Sequence, residues 1–108
     1  MKLITKAIQN ALNKMPYGSQ DGKGRDAKVI ARYFRGHYTS YVLESDGGTR
    51  VFGLVDRGGG FEYGCFDLAG YEETNKRYVF QVERDKFVTP LQQTLGELMD
   101  LYGEEYPL

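Results

Sequence analysis

Val51-Phe52-Gly53-Leu54-Val55-Asp56-Arg57-Gly58-Gly59-Gly60-Phe61-Glu62-Tyr63-Gly64-Cys65-Phe66-Asp67-Leu68 decides how this chain is read. It is two strands joined by a glycine-rich turn. In the first, Arg50–Asp56, alternation sets Val51, Gly53 and Val55 on one face and Phe52 and Leu54 on the other. Both faces are apolar, which places the strand inside a sheet with a helix over at least one side. Gly58-Gly59-Gly60 then turns the chain into the second strand, Phe61–Phe66.

Upstream, Ser45-Asp46-Gly47-Gly48 carries the Asp-Gly pair of a tight hairpin, because such turns require positive φ angles. It joins strand Tyr38–Glu44 to Arg50–Asp56, and strand Lys28–Phe34 precedes both. The chain opens with a helix. Thr5 is its N-cap, and Ala7, Ile8, Ala11, Leu12 and Met15 recur at helical spacing until Pro16 stops it. Residues 16–26 are polar and glycine-rich and are expected to be a mobile loop.

Downstream, residues 67–76 read as a short helix or irregular crossover. Tyr78–Glu83 reads as a fifth strand, with Tyr78, Phe80 and Val82 on one side. Thr89-Pro90-Leu91-Gln92 has the form of a capping box with proline at the first helical position. Leu91, Leu95, Leu98 and Tyr102 make the stripe of that last helix, and Gly103 ends it. The expected fold is a single α+β domain over residues 1–108: an N-terminal helix, an antiparallel sheet of four to five strands, and a C-terminal helix packed on the sheet. Helices gathered on one face of the sheet are the simplest arrangement. The expected core includes Phe52, Leu54, Val55, Phe66, Phe80, Val82, Leu91, Leu95 and Leu98.

The chain has 108 residues, 41% of them hydrophobic and 27% charged, as an ordinary globular domain does. No apolar run approaches the roughly 20 residues of a membrane span. The N-terminus has no continuous apolar segment of the signal-peptide kind. A cytoplasmic location and no membrane contact are the expectations. Cys65 is the only cysteine, so no intrachain disulfide can form. Set in an apolar strand, it reads as a small buried hydrophobe.

With these elements in order, the chain resembles a family of uncharacterised proteins borne on bacterial plasmids, integrative elements and phages, a domain of unknown function. The resemblance lies in Met1-Lys2-Leu3-Ile4-Thr5-Lys6, Phe52-Gly53-Leu54, Glu62-Tyr63-Gly64-Cys65-Phe66-Asp67-Leu68, Val82-Glu83-Arg84-Asp85 and Thr89-Pro90-Leu91. The chain departs from the family at Tyr71-Glu72-Glu73-Thr74-Asn75-Lys76-Arg77, where the family has a segment rich in Leu, Gly and Pro. The resemblance implies a setting, mobile elements and the small proteins that interfere with host defence. It implies no catalytic residues.

Charge is unevenly spread. Residues 1–43 hold eight Lys/Arg against two acids, and residues 44–108 hold six against thirteen. Either the halves neutralise each other on folding, or they form separate basic and acidic faces. One Cys and one His cannot supply the four nitrogen or sulfur ligands of a structural zinc site, so no metal and no cofactor are expected. Asp56 and Glu62 are the weak candidates for a carboxylate metal site in a small nuclease. Nine Tyr and no Trp offer contact area with polar tips. Around the first hairpin, Lys28, Arg32, Tyr33, Arg35, His37, Tyr38 and Tyr41 interleave cations with aromatics, as surfaces for phosphates and bases do.

Three functions follow as expectations. The first is a non-enzymatic accessory protein of a phage or mobile element. It binds a host protein or ribonucleoprotein complex, inhibiting host defence in the manner of an anti-CRISPR protein. Its binding residues would be Arg32, Arg35, His37, Tyr38 and Arg57. The second is a binder of nucleotides or single-stranded nucleic acid, including a sponge for a signalling nucleotide. The third is the metal-dependent nuclease. A monomer and a homodimer are both open, because an uncovered edge strand supports a dimer.

Overall fold

The computed structural model describes residues 1–107. Helix α1 spans Lys6–Lys14, followed by strands β1 (Ala31–Arg35), β2 (Tyr38–Ser45), β3 (Arg50–Asp56) and β4 (Phe61–Asp67). Helix α2 (Leu68–Arg77), a two-residue strand β5 (Glu83–Arg84) and helix α3 (Leu95–Leu101) complete the chain. The strands form one antiparallel sheet in the order β4-β3-β2-β1-β5. This is the expected α+β fold, with β3 between β2 and β4.

Local chemistry accounts for the elements. Thr5 Oγ1 accepts the Ile8 N–H and opens α1, whose buried stripe is Ile8, Ala11 and Leu12. Asp67 caps α2 through the Ala69 N–H. In the Asp-Gly hairpin, Gly47 has φ +102° and Asp46 Oδ1 accepts the Gly48 N–H. At the next turn Asp56 Oδ1 takes the N–H groups of both Gly58 and Gly60. Gly103, at φ +66°, ends α3: its N–H meets the Asp100 carbonyl and the Glu104 N–H meets that of Met99.

The helices do not gather on one face, which corrects the simplest expectation. Helices α1 and α2 cover the face carrying Ala31, Tyr33, Val42 and Val51. Helix α3 covers the other, which carries Tyr41, Leu43 and Leu54, packing with Leu95, Leu98 and Met99. The cause is the two-sided apolarity of β2 and β3. Leu95 has no solvent exposure. Leu95→Ala is expected to cost roughly 2–5 kcal/mol, read from the urea midpoint. A loss below about 1 kcal/mol would mean that α3 contributes little to the core.

Several boundaries shift for identifiable reasons. The expected strand Tyr78–Glu83 is reduced to Glu83–Arg84. Asn75 exchanges two hydrogen bonds with the backbone of Val82, supplying the partners that a neighbouring strand would have supplied. Tyr78, Val79 and Phe80 therefore have no place in the sheet, and Phe80 is exposed rather than in the core. Phe52, Phe66 and Leu91 are half-buried.

The capping box lies at Thr94 and Glu97, not at Thr89 and Gln92. Backbone bonds from Leu91 N–H to Val29 and from Val29 N–H to Gln93 hold the segment alongside residues 27–29, and the Leu95 N–H bonds Ala27. The helix starts after them, and Leu91 takes φ +64°. The same pairing removes Lys28 from β1.

The loop at 16–26 is held rather than free. Buried Glu44 accepts the Gly18 and Gln20 N–H groups, and Gln20 bonds the backbone of both Lys28 and Leu43. Cys65 is exposed, on the edge strand β4 rather than in the core.

Candidate binding surface

The β1–β2 hairpin sets Arg35 directly opposite Tyr38, with Gly36 and His37 between them. Gly36 has φ +58°, and a Cβ there would sit 3.3 Å from the Phe80 ring. Glycine thus serves both the turn and the close approach of the ring. Arg35 Nε donates to the Phe80 carbonyl at 2.7 Å. Its guanidinium lies 5.1 Å from the Phe80 ring centre and 5.6 Å from that of Tyr78. No carboxylate pairs with Arg35 among the described residues.

Arg35, His37, Tyr38, Tyr71 and Phe80 line a cleft of about 640 Å³ between the hairpin and α2. At its side the Tyr71 hydroxyl meets those of Tyr38 and Ser40, the latter at 2.7 Å. Burial pushes the Tyr71 phenol well above the usual tyrosine range. A second cleft, of about 610 Å³, lies beyond Gly36 and includes Met1, Phe34 and Phe87. Along this margin of the sheet Tyr78, Val79, Phe80 and Phe87 are 56%, 99%, 63% and 83% exposed.

Arg35, His37 and Tyr38 are thus brought together. Arg57 is exposed at the β3–β4 turn, at the same end of the sheet, but does not line the cleft. Arg32, expected to be an exposed contact, is 8% exposed and engaged inside the protein. It bonds Asp85 at 3.2 Å, Glu104 at 2.9 Å and the Tyr41 hydroxyl at 3.1 Å, and its guanidinium stacks 3.9 Å from the Tyr102 ring centre. Burial opposes its charge, but the bond to Glu104 and the neighbouring groups outweigh that and hold the pKa above the usual arginine value. The Arg32 pairs and Arg25–Asp100 each join the basic half of the chain to the acidic half, which is the neutralising alternative read from sequence.

Asp56 and Glu62 do not converge. Asp56 lies opposite Phe61 and Glu62 opposite Val55, so their side chains leave opposite faces of the sheet. Asp56 is occupied by the glycine turn. Among the described residues no group of three His, Cys, Asp or Glu is placed to hold a metal. No described helix is long and apolar enough to cross a membrane.

Sequence reasoning missed Tyr78, Val79 and Phe80 as surface residues. Their alternation hid them, because it is the pattern of a half-buried strand. No family model matches the chain, nor does any curated protein or solved structure.

Proposed function

We propose that the protein acts by binding a macromolecular partner, a host protein or ribonucleoprotein complex, through the margin formed by Arg35, His37 and Tyr78-Val79-Phe80. One observation carries this: three consecutive large apolar residues stand in solvent beside an arginine with no acidic partner among the described residues. Exposed apolar surface of this kind marks interaction sites. Aromatic side chains and arginine supply most of the energy at protein interfaces. The resemblance to plasmid- and phage-borne proteins supplies the setting. Occupation of a functional surface on a defence complex would inhibit it as an anti-CRISPR protein does, with no catalytic step.

The test is an affinity capture from a bacterial host lysate with wild type, Arg35→Glu and Val79→Asp. Capture of a defence complex by wild type alone is expected. Melting temperatures should stay close, since exposed substitutions usually shift stability by no more than about 0.5 kcal/mol. Arg57→Glu measures whether the interface extends along the end of the sheet. A partner held equally by all the variants would move the interface elsewhere. No partner, together with no protection of phage, would end the reading.

A second reading is favoured by Arg35 at the cleft, whose guanidinium has no carboxylate partner among the described residues. A phosphate on Arg35 and His37, with a base against the aromatic wall, would make the protein a nucleotide or single-stranded nucleic-acid binder. Such binding falls steeply with salt. Calorimetry with cyclic dinucleotides and short oligonucleotides at two salt concentrations separates it from protein docking.

A further inference from the structure

β4 forms the other margin of the sheet. Its seven residues pair with β3 along their whole length without a bulge. Its outer row of backbone groups is open: no backbone hydrogen bond leaves Phe61–Asp67 on the side away from β3, among the described residues. Sheets ordinarily guard such margins with lysine, proline, a bulge, a short strand or a covering element. Phe61-Glu62-Tyr63-Gly64-Cys65-Phe66-Asp67 contains no lysine and no proline, and its only charges are Glu62 and Asp67. The opposite margin is guarded, since β5 has two residues and is followed by Asp85-Lys86.

We propose that β4 pairs antiparallel with β4 of a second copy of this chain, about a two-fold axis normal to the sheet at Gly64, forming a ten-stranded sheet. A strand margin is completed by another strand margin. The chain's other one offers two residues, whereas β4 against itself offers seven. Side chains must stay on their own faces, so the axis falls on a residue rather than between two. Centring it on Gly64 is the register that uses the whole strand. Phe61 then lies opposite Asp67 of the copy, Glu62 opposite Phe66, and Tyr63 opposite Cys65. No like charges are opposed, and the net charge of −1 per chain keeps repulsion between copies low. Nothing among the described residues lies within 4 Å of a Cβ at Gly64, so a side chain fits on the sheet face at the axis. Tyr63, already stacked on Phe52, would continue an aromatic layer across the joint. Strands spaced by about 4.8 Å would set the two copies of β1 roughly 34 Å apart. Arg35 lies four residues along β1 from Ala31, which is level with Gly64, so the two-fold axis places the two Arg35 surfaces at opposite ends of the sheet, roughly 43 Å apart, for bivalent capture.

The full chain is examined by sedimentation velocity over a concentration series, with and without a short bis-maleimide. Cys65 and its copy are diagonal neighbours in this register, roughly 8 Å apart, which is too far for a disulfide but within the reagent's span. A concentration-dependent dimer, linked covalently through Cys65, is expected. Gly64→Lys sets two ammonium groups against each other at the axis. It should weaken the dimer by at least about tenfold and abolish the cross-link. Its circular dichroism spectrum should not change, because the site has room. Arg35→Glu, at the far margin, should leave the dimer intact whether or not that margin binds a partner. A monomer at every concentration overturns the proposal. A dimer that resists Gly64→Lys and is not linked by the reagent overturns it equally, and the wild-type cross-link decides even if the variant fails to fold.

Discussion

Gly53→Ala is expected to cost roughly 4 kcal/mol or more, a loss seen only where a substitution meets something that cannot move. The register between β2 and β3 slips between Val42 and Glu44, forming a bulge. The slip brings the Tyr41 carbonyl over Gly53. A Cβ at position 53 would lie 1.8 Å from that oxygen and 2.9 Å from its carbon. Both atoms are backbone, in the middle strand of the sheet, with Tyr41 itself fully buried. Relief requires β2 and β3 to separate, and both faces of the core go with them. Against a total stability of about 5–15 kcal/mol for a domain, the variant would be marginal or unfolded. Gly64→Ala is the matched control, because Gly64 faces Gly53 across the ladder and has open space. Its urea midpoint should stay near that of wild type. A Gly53→Ala protein within about 1 kcal/mol of wild type would refute the close approach.

The same glycine shows how far the sequence could be read. Alternation in Arg50–Asp56 located β3, its boundaries and its two apolar faces. It could not reveal that Gly53 is required, because the requirement comes from a bulge in another strand. Local signals with a single interpretation survived folding: the Thr5 cap, the Asp-Gly hairpin, the glycine turn held by Asp56, and Gly103 after α3. Signals with two interpretations did not. Thr89…Gln92 and Thr94…Glu97 both fit a capping box, and backbone pairing of residues 91–95 with 27–29 decided between them. Tyr78, Phe80 and Val82 alternate as a strand does, yet Asn75 holds Val82 and leaves the two aromatic residues outside.

The candidate surface was legible in part for the same reason. Arg35, His37 and Tyr38 are adjacent along one hairpin, so local reading found them together. The abundance of tyrosine suggested a binding face, but much of it serves the interior. Tyr33 bonds the Leu3 carbonyl, Tyr71 bonds Ser40, and Tyr41 bonds Arg32 and Glu104. Burial raises the phenol pKa of Tyr33 and Tyr41 far above the ordinary value. Arg32 was misjudged because its partners are distant in sequence, Asp85 on one segment and Glu104 on another.

That network carries the second large effect. Arg32→Ala is expected to cost roughly 3–5 kcal/mol, because it leaves buried Asp85 and half-buried Glu104 without their cation rather than merely losing an attraction. Asp85 is 5% exposed and would keep only the Tyr102 hydroxyl and the Phe87 N–H. Glu104 would keep only its bond to Tyr41. Replacing the cation and both acids together by apolar residues of similar size should cost far less than Arg32→Ala alone, since no unpaired charge then remains. Urea midpoints of the single and triple variants measure the difference. The loss should be local before it is global. Glu104 fastens the segment after α3 to β1 and β2, so Arg32→Ala should speed hydrogen exchange at Gly103 and Glu104, whose N–H groups bond Asp100 and Met99, while α1 keeps its protection. If Arg32→Ala melts with wild type, Arg32 is not bound as described. If it melts early but the segment after α3 exchanges no faster, the destabilisation comes through Asp85 and Tyr102 rather than through Glu104.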